Sequence, residues 1–122
     1  MSTTVPASDE AQSEVVGLCA ELIRFDTSNP TSDERVCAEW VVDRLAEVGI
    51  GSQLVESAPG RANVIARIPG TDPERGALLV HGHLDVVPAD AAEWRVPPFS
   101  GEIRDGYLWG RGAIDMKDTV AV

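Results

Sequence analysis

Basic residues are scarce in this chain. Ten lysines and arginines stand against 20 aspartates and glutamates, giving a formal net charge of −10 and a sequence pI near 4.4. That deficit argues against nucleic acid or an anionic membrane as partner, both of which call for a basic footprint, and fits a solvated surface. Cysteine is scarce too, limited to Cys19 and Cys37. Both fall in predicted helices among apolar neighbours, which points to buried free thiols rather than a disulfide. No apolar run approaches the roughly 20 residues of a membrane helix. The first residues carry neither the positive charge nor the apolar core of a signal peptide, so a cytoplasmic location is the default expectation. Internal repeats and low-complexity segments are also missing. What is present suffices for a core: 43% of the 122 residues are hydrophobic. The length suits one small domain and is short for a two-domain enzyme.

The most informative stretch is residues 77–88, ALLVHGHLDVVP. Ala77, Leu78, Leu79 and Val80 follow Gly76 and lead directly into His81-Gly82-His83-Leu84-Asp85. Such a run reads as a buried strand of an α/β sheet, and ligands in open α/β sheets sit at the carboxyl ends of strands. Alternation along an extended backbone puts His81, His83 and Asp85 on one face, with Gly82 and Leu84 on the other. Neutral imidazole is a common zinc ligand, held in the right tautomer when its second nitrogen donates to a carboxylate or carbonyl. His83 and Asp85 are spaced to supply such a ligand and its orienting partner. An isolated H-x-D is more often a polar pair in a strand-end loop, because short motifs recur by chance. His81 alone reads as a structural histidine.

A second stretch runs Tyr107-Leu108-Trp109-Gly110-Arg111-Gly112-Ala113-Ile114-Asp115-Met116-Lys117. Gly110 and Gly112 free the backbone around Arg111. Asp115 then either caps the helix that follows or presents a carboxylate to a metal; one carboxylate bridging two metals is a common way to hold a two-metal site. Upstream, Glu102-Ile103-Arg104 and Tyr107-Leu108-Trp109 flank Asp105-Gly106, a strong hairpin signal that would bring Asp115 back beside His83. Arg111 reads as a structural residue holding its loop.

These residues carry a resemblance. His83-Leu84-Asp85-Val86-Val87-Pro88, then Trp94 with Pro97-Pro98-Phe99, then Gly106 through Lys117, resemble in order and spacing the amino-terminal half of the co-catalytic zinc metallopeptidases of peptidase family M-twenty. That family includes acetylornithine deacetylase, succinyl-diaminopimelate desuccinylase, aminoacylases, carnosinase-like dipeptidases and glutamate carboxypeptidase. The resemblance implies an α/β fold, a zinc-peptidase-like three-layer αβα sandwich with a mixed sheet. Residues 1–122 would be the amino-terminal part of its catalytic domain, without the lid or dimerisation domain and without the carboxyl-terminal part. It further implies that His83 is a ligand of one zinc, that Asp85 is the catalytic-site carboxylate orienting His83, and that Asp115 bridges both zincs. Two Zn2+ ions would fill the complete site, with Co2+ or Mn2+ as substitutes. The implied substrates are small peptides or N-acyl amino acids, and the complete protein would be a homodimer. Asp118 stands where the family often has glycine, a departure at the start of the last helix and not at the metal site.

The rest of the chain supplies the frame. Met1 to Ala7 is expected to fray. Ser8 is a plausible N-cap for a first helix ending near Phe25 or Asp26, with Val15, Leu18, Cys19, Leu22 and Ile23 at helical spacing. Thr27-Ser28-Asn29-Pro30 is turn chemistry. Thr31 or Ser32 would cap a second helix with the stripe Val36, Trp40, Val41, Leu45 and Val48, stopped by Gly49. Strands are expected over 53–56 and 62–68 around Pro59-Gly60, and the loop with Trp94 either walls the site or covers the core edge. A last helix starts near Asp118 and stops after barely two turns, which suggests a piece of a longer protein.

Three functions compete on these observations: part of a two-zinc amide hydrolase, a non-catalytic remnant needing a partner chain, or a small binding domain whose H-x-D is accidental. In the first case, a general base and further ligands would lie outside this stretch, and the chain alone would turn over little substrate. An open sheet edge would also leave it prone to aggregate.

Overall fold

The computed structural model describes residues 7–122; the expected fraying of Met1 to Ala7 lies, but for Ala7, outside the described residues. Helix α1 spans Asp9–Arg24. Ser8 caps it as the sequence predicts, its hydroxyl accepting from Ala11 N at 3.1 Å. Asp9 and Glu10 occupy the first turn and Arg24 the last, charges that suit the helix dipole. Cys19, Leu22 and Ile23 form its buried stripe, flanked by the half-buried Val15 and Leu18.

Helix α2 spans Arg35–Glu47 and departs from expectation at its start. Neither Thr31 nor Ser32 caps it. The Ser32 amide turns back to Ser28 O at 2.6 Å, and the Asp33 carboxylate, nearer the helix, takes the Arg35 amide at 3.2 Å. Its buried face is Cys37 and Ala38, while Val36 and Val48 are exposed. Trp40 and Val41 of the predicted stripe pack against the core and Leu45 is half-buried, so the stripe holds in its middle and fails at its two ends, Val36 and Val48. Its end is as predicted: Gly49, at φ +78°, donates to Ala46 O at 3.0 Å, and Ile50 N donates to Leu45 O at 2.9 Å, a Schellman closure.

Strands β1 (Ser52–Ala58) and β2 (Arg61–Ala66) pair antiparallel, Ser52 opposite Ala66, and pack on α2. Strands β3 (Glu102–Arg104) and β4 (Tyr107–Trp109) form the second hairpin. Its turn residues Asp105 and Gly106 both have positive φ, the type I′ signature their sequence announces. Helix α3, Lys117–Ala121, packs against α1. Between them lies the core of Cys19, Leu22, Ile23, Cys37 and Ala121.

The chain is mixed α/β, as expected. The apolar run before the histidines is where the structure differs. It is neither paired nor buried: Leu78, Leu79 and Val80 are 87%, 84% and 80% exposed. Composition gives these residues the appetite of a central strand, but the two sheets hold only β1–β2 and β3–β4, and the run pairs with neither. Each of the four strands keeps one edge without a strand neighbour, and the run lies along none of them.

Candidate functional site

At Leu84 the chain rejoins the core. The segment 84–86 lies against the turn that follows α1, joined by a parallel bridge between Ser28 and Val86. Val86 N donates to Thr27 O at 3.1 Å, and Asn29 N donates to Val86 O at 2.8 Å. The Thr27 hydroxyl, fully buried, donates to Leu84 O at 2.6 Å. Local sequence reading assigns residues 27–30 only turn chemistry; their hydroxyl and amide side chains are donors without a named partner at that level.

This pairing fixes which side chains face which way. Leu84 and Val86 turn into the core, and His83 and Asp85 point together to the other side, the alternation that an extended segment imposes. His81 is exposed and enters none of these contacts. Asn29 Nδ2 donates to Asp85 Oδ2 at 3.3 Å. The His83 ring nitrogen Nδ1 lies 3.0 Å from the Asp85 carbonyl oxygen and 3.4 Å from its Oδ1, so the main-chain oxygen is the nearer acceptor.

Asp115 arrives from the far side. The β3–β4 hairpin runs into Gly110-Arg111-Gly112, anchored by Arg111 N donating to Pro98 O at 2.6 Å. Gly112 has φ +83°, and a Cβ there would meet Val86 Cγ1 at 2.6 Å, so only glycine lets this loop close on the histidine segment. The His83 amide points at the Met116 sulfur at 3.4 Å. Asp115 Oδ1 then stands 3.1 Å from His83 Nε2. The structure therefore brings together His83, Asp85 and Asp115, the three residues singled out in the sequence.

The chemistry of this pair follows from the proton count. A carbonyl oxygen only accepts, so Nδ1 carries a proton; Nε2 then either donates a second proton to Asp115 or, unprotonated, presents a lone pair that a cation could take. Two lone pairs facing each other repel unless a proton or a cation lies between them. Zinc bonds of about 2.0–2.2 Å to nitrogen and oxygen at a tetrahedral angle put the two donors about 3.4 Å apart. The observed separation of 3.1 Å fits a shared divalent cation after a small adjustment of the exposed Asp115. Among the described residues, no group of three or more His, Cys, Asp or Glu side chains gathers to hold a metal. His83 and Asp115 are two donors, fewer than the three a catalytic zinc takes from protein.

The pair opens into a cleft of about 430 Å³ whose walls include Val87, Trp94, Trp109 and Arg111. Trp94 lines it, and the Arg111 guanidinium lies over the Trp94 ring at 5.3 Å, a cation–π stack that braces the wall. Beneath the site, Lys117 is fully buried, and desolvation pushes its ammonium below the ordinary lysine value. No helix among the described residues is long and apolar enough to cross a membrane.

Known proteins resemble this chain in sequence and backbone. The sequence model of Peptidase family M20/M25/M40 matches residues 79–122. Aminoacylase-1 of Sus scrofa is 36% identical over 109 residues, covering 88% of this chain and 27% of that protein. Succinyl-diaminopimelate desuccinylase of a Psychrobacter species is 36% identical over 132 residues, covering 99% of this chain and 32% of that protein. The crystal structure of human carnosine dipeptidase 1 superposes with a TM-score of 0.71 at 29% identity, covering 93% of this chain and 27% of that one. The chain thus spans about a quarter to a third of the length of the relatives it matches.

Proposed function

We propose that this chain, which matches Peptidase family M20/M25/M40 and about a quarter to a third of the length of its relatives, is the amino-terminal portion of such a protein and forms part of the catalytic domain of a metal-dependent amide hydrolase. The substrate class is a small peptide or an N-acyl amino acid, in keeping with relatives named as an aminoacylase, a desuccinylase and a dipeptidase. The observation that carries the reading is the contact of His83 Nε2 with Asp115 Oδ1 at 3.1 Å, with the histidine's other nitrogen already committed to the Asp85 carbonyl.

In this reading His83 and Asp115 hold Zn2+, or Co2+ or Mn2+ in its place. The metal, when bound, supplies Lewis acidity and an activated water for attack on the amide. Asp85 fixes the tautomer and the plane of His83 through its carbonyl, with its carboxylate close behind. Asn29 in turn restrains that carboxylate. Such outer partners raise the basicity of a histidine ligand and set its direction. Trp94 and Arg111 wall the cleft in which the scissile amide would lie. The general base and the remaining ligands would come from polypeptide other than the described residues.

Calorimetric zinc titration tests the reading. Wild-type chain should bind Zn2+, and His83→Ala should weaken binding by at least about tenfold, the range lost when a metal site is damaged. His81→Ala should leave it unchanged. Equal binding by all three proteins would make the H-x-D accidental and favour a small binding domain.

A further inference from the structure

Lys117 is the chain's one lysine, and it lies at 0% exposure. Lysine stems normally lie along a surface with the ammonium in water; an ammonium held inside needs acceptors to offset its lost hydration. Nζ donates to the carbonyl oxygens of Leu22 and Phe25, each at 2.8 Å. Both sit at the C-terminal end of α1, where unpaired carbonyls concentrate negative partial charge. The Lys117 backbone amide meanwhile donates to Gly112 O at 2.9 Å.

These contacts join the two segments that build the site. On one side, Phe25 leads within two residues to Thr27, whose carbonyl and hydroxyl hold Val86 and Leu84 on either side of Asp85. On the other, Lys117 stands two residues after Asp115 and closes the turn from Gly112. We propose that Lys117 is a positioning residue for the His83–Asp115 pair: its buried ammonium clamps the end of α1, and with it the turn that aligns His83, to the loop that presents Asp115. Removing the ammonium leaves Phe25 O without its donor and Leu22 O with only the Phe25 amide at 3.3 Å, and lets the two segments drift apart, which changes the separation of the facing nitrogen and oxygen. Part of the inference rests on reading that pair as a metal site, so it is tested by two measurements, one of which needs no metal.

Lys117→Met keeps the stem and removes the ammonium. Amide hydrogen exchange at Val86 and Asn29, the two main-chain donors of the 27–29/84–86 contact, should quicken by at least about tenfold relative to the amides of β1 and β2. Uniform quickening everywhere, or none at Val86 and Asn29, overturns the proposal. Co2+ titration followed by its visible absorption should show the apparent dissociation constant rising by about tenfold in Lys117→Met. Leu18→Ala, a core variant on α1 chosen to match the lost melting temperature, should leave it within about twofold. Equal weakening in both reduces Lys117 to general stability and also overturns the proposal. Selective quickening together with no Co2+ binding by the wild type upholds the clamp and refutes the metal reading instead. Should Lys117→Met fail to fold, Lys117→Gln, which keeps an uncharged donor, is read by the same criteria.

Discussion

The Thr27 hydroxyl spans 57 residues of sequence to reach the Leu84 carbonyl at 2.6 Å. Thr27 is 1% exposed and Leu84 half-buried, so the donor is shielded from bulk water. Thr27→Val keeps the side-chain shape and removes the donor. Leaving a buried acceptor without its partner costs about 1–3 kcal/mol, and the short, enclosed geometry argues for about 2 kcal/mol here. For a chain of this size each kcal/mol moves the melting temperature by about 3–5 °C, so the variant should melt about 6–10 °C lower. The main-chain bonds from Val86 N and Asn29 N survive the change. The segment should therefore loosen without detaching, and Co2+ affinity should fall by a few-fold while some binding persists. Urea unfolding followed by far-ultraviolet circular dichroism gives the stability difference directly. A loss below about 0.5 kcal/mol would refute the reasoning, since that is what an unremarkable surface change costs.

The Cys37 thiol is pushed up to about 11 from 9.0, by burial first, against a lowering pull from Lys117. A folded value above the unfolded one means that the stabilisation is complete below pH 9 and is lost as pH rises through 11. At full ionisation the difference amounts to about 2–3 kcal/mol. Lys117 works the other way, its lowered value adding stability as pH climbs toward 10.5. Cys37→Ala, which keeps the lysine, should therefore decline less than wild type between pH 9 and 11 in denaturant titrations; parallel declines would contradict the assignment. The exposed Leu78-Leu79-Val80 run is an aggregation hazard of the kind a charge disrupts. Leu79→Lys should lower light scattering at matched concentration and shift stability by less than about 0.5 kcal/mol. Undiminished scattering would place the hazard elsewhere.

Features set by residues close in sequence were readable from it. Asp105-Gly106 requires positive φ twice and makes its hairpin; Ser8 has a helix immediately after it to cap; Gly49 ends α2 because no side chain opposes its conformation. The common face of His83 and Asp85 followed from alternation alone, and their approach to Asp115 followed from the hairpin that returns the chain. Long-range pairing was not readable. Nothing near Thr27 or Ser28 signals that its partner is Leu84 or Val86, because the contact depends on where α1 ends in space. The face of α2 was readable at Trp40 and Val41, which pack on the core, but not at its start, where the small Cys37 and Ala38 are buried and Val36 is exposed. In the Ala77–Val80 region the pattern reported hydrophobic appetite faithfully, but strand formation also needs a partner edge laid alongside, and the run meets neither two-stranded sheet.

Cobalt K-edge X-ray absorption on the chain loaded with one equivalent of Co2+ tests the central claim most directly. The account predicts imidazole scattering from one histidine ring in the wild type and in His81→Ala, its loss in His83→Ala, and one fewer oxygen neighbour in Asp115→Ala. An unchanged cobalt environment in His83→Ala would contradict it.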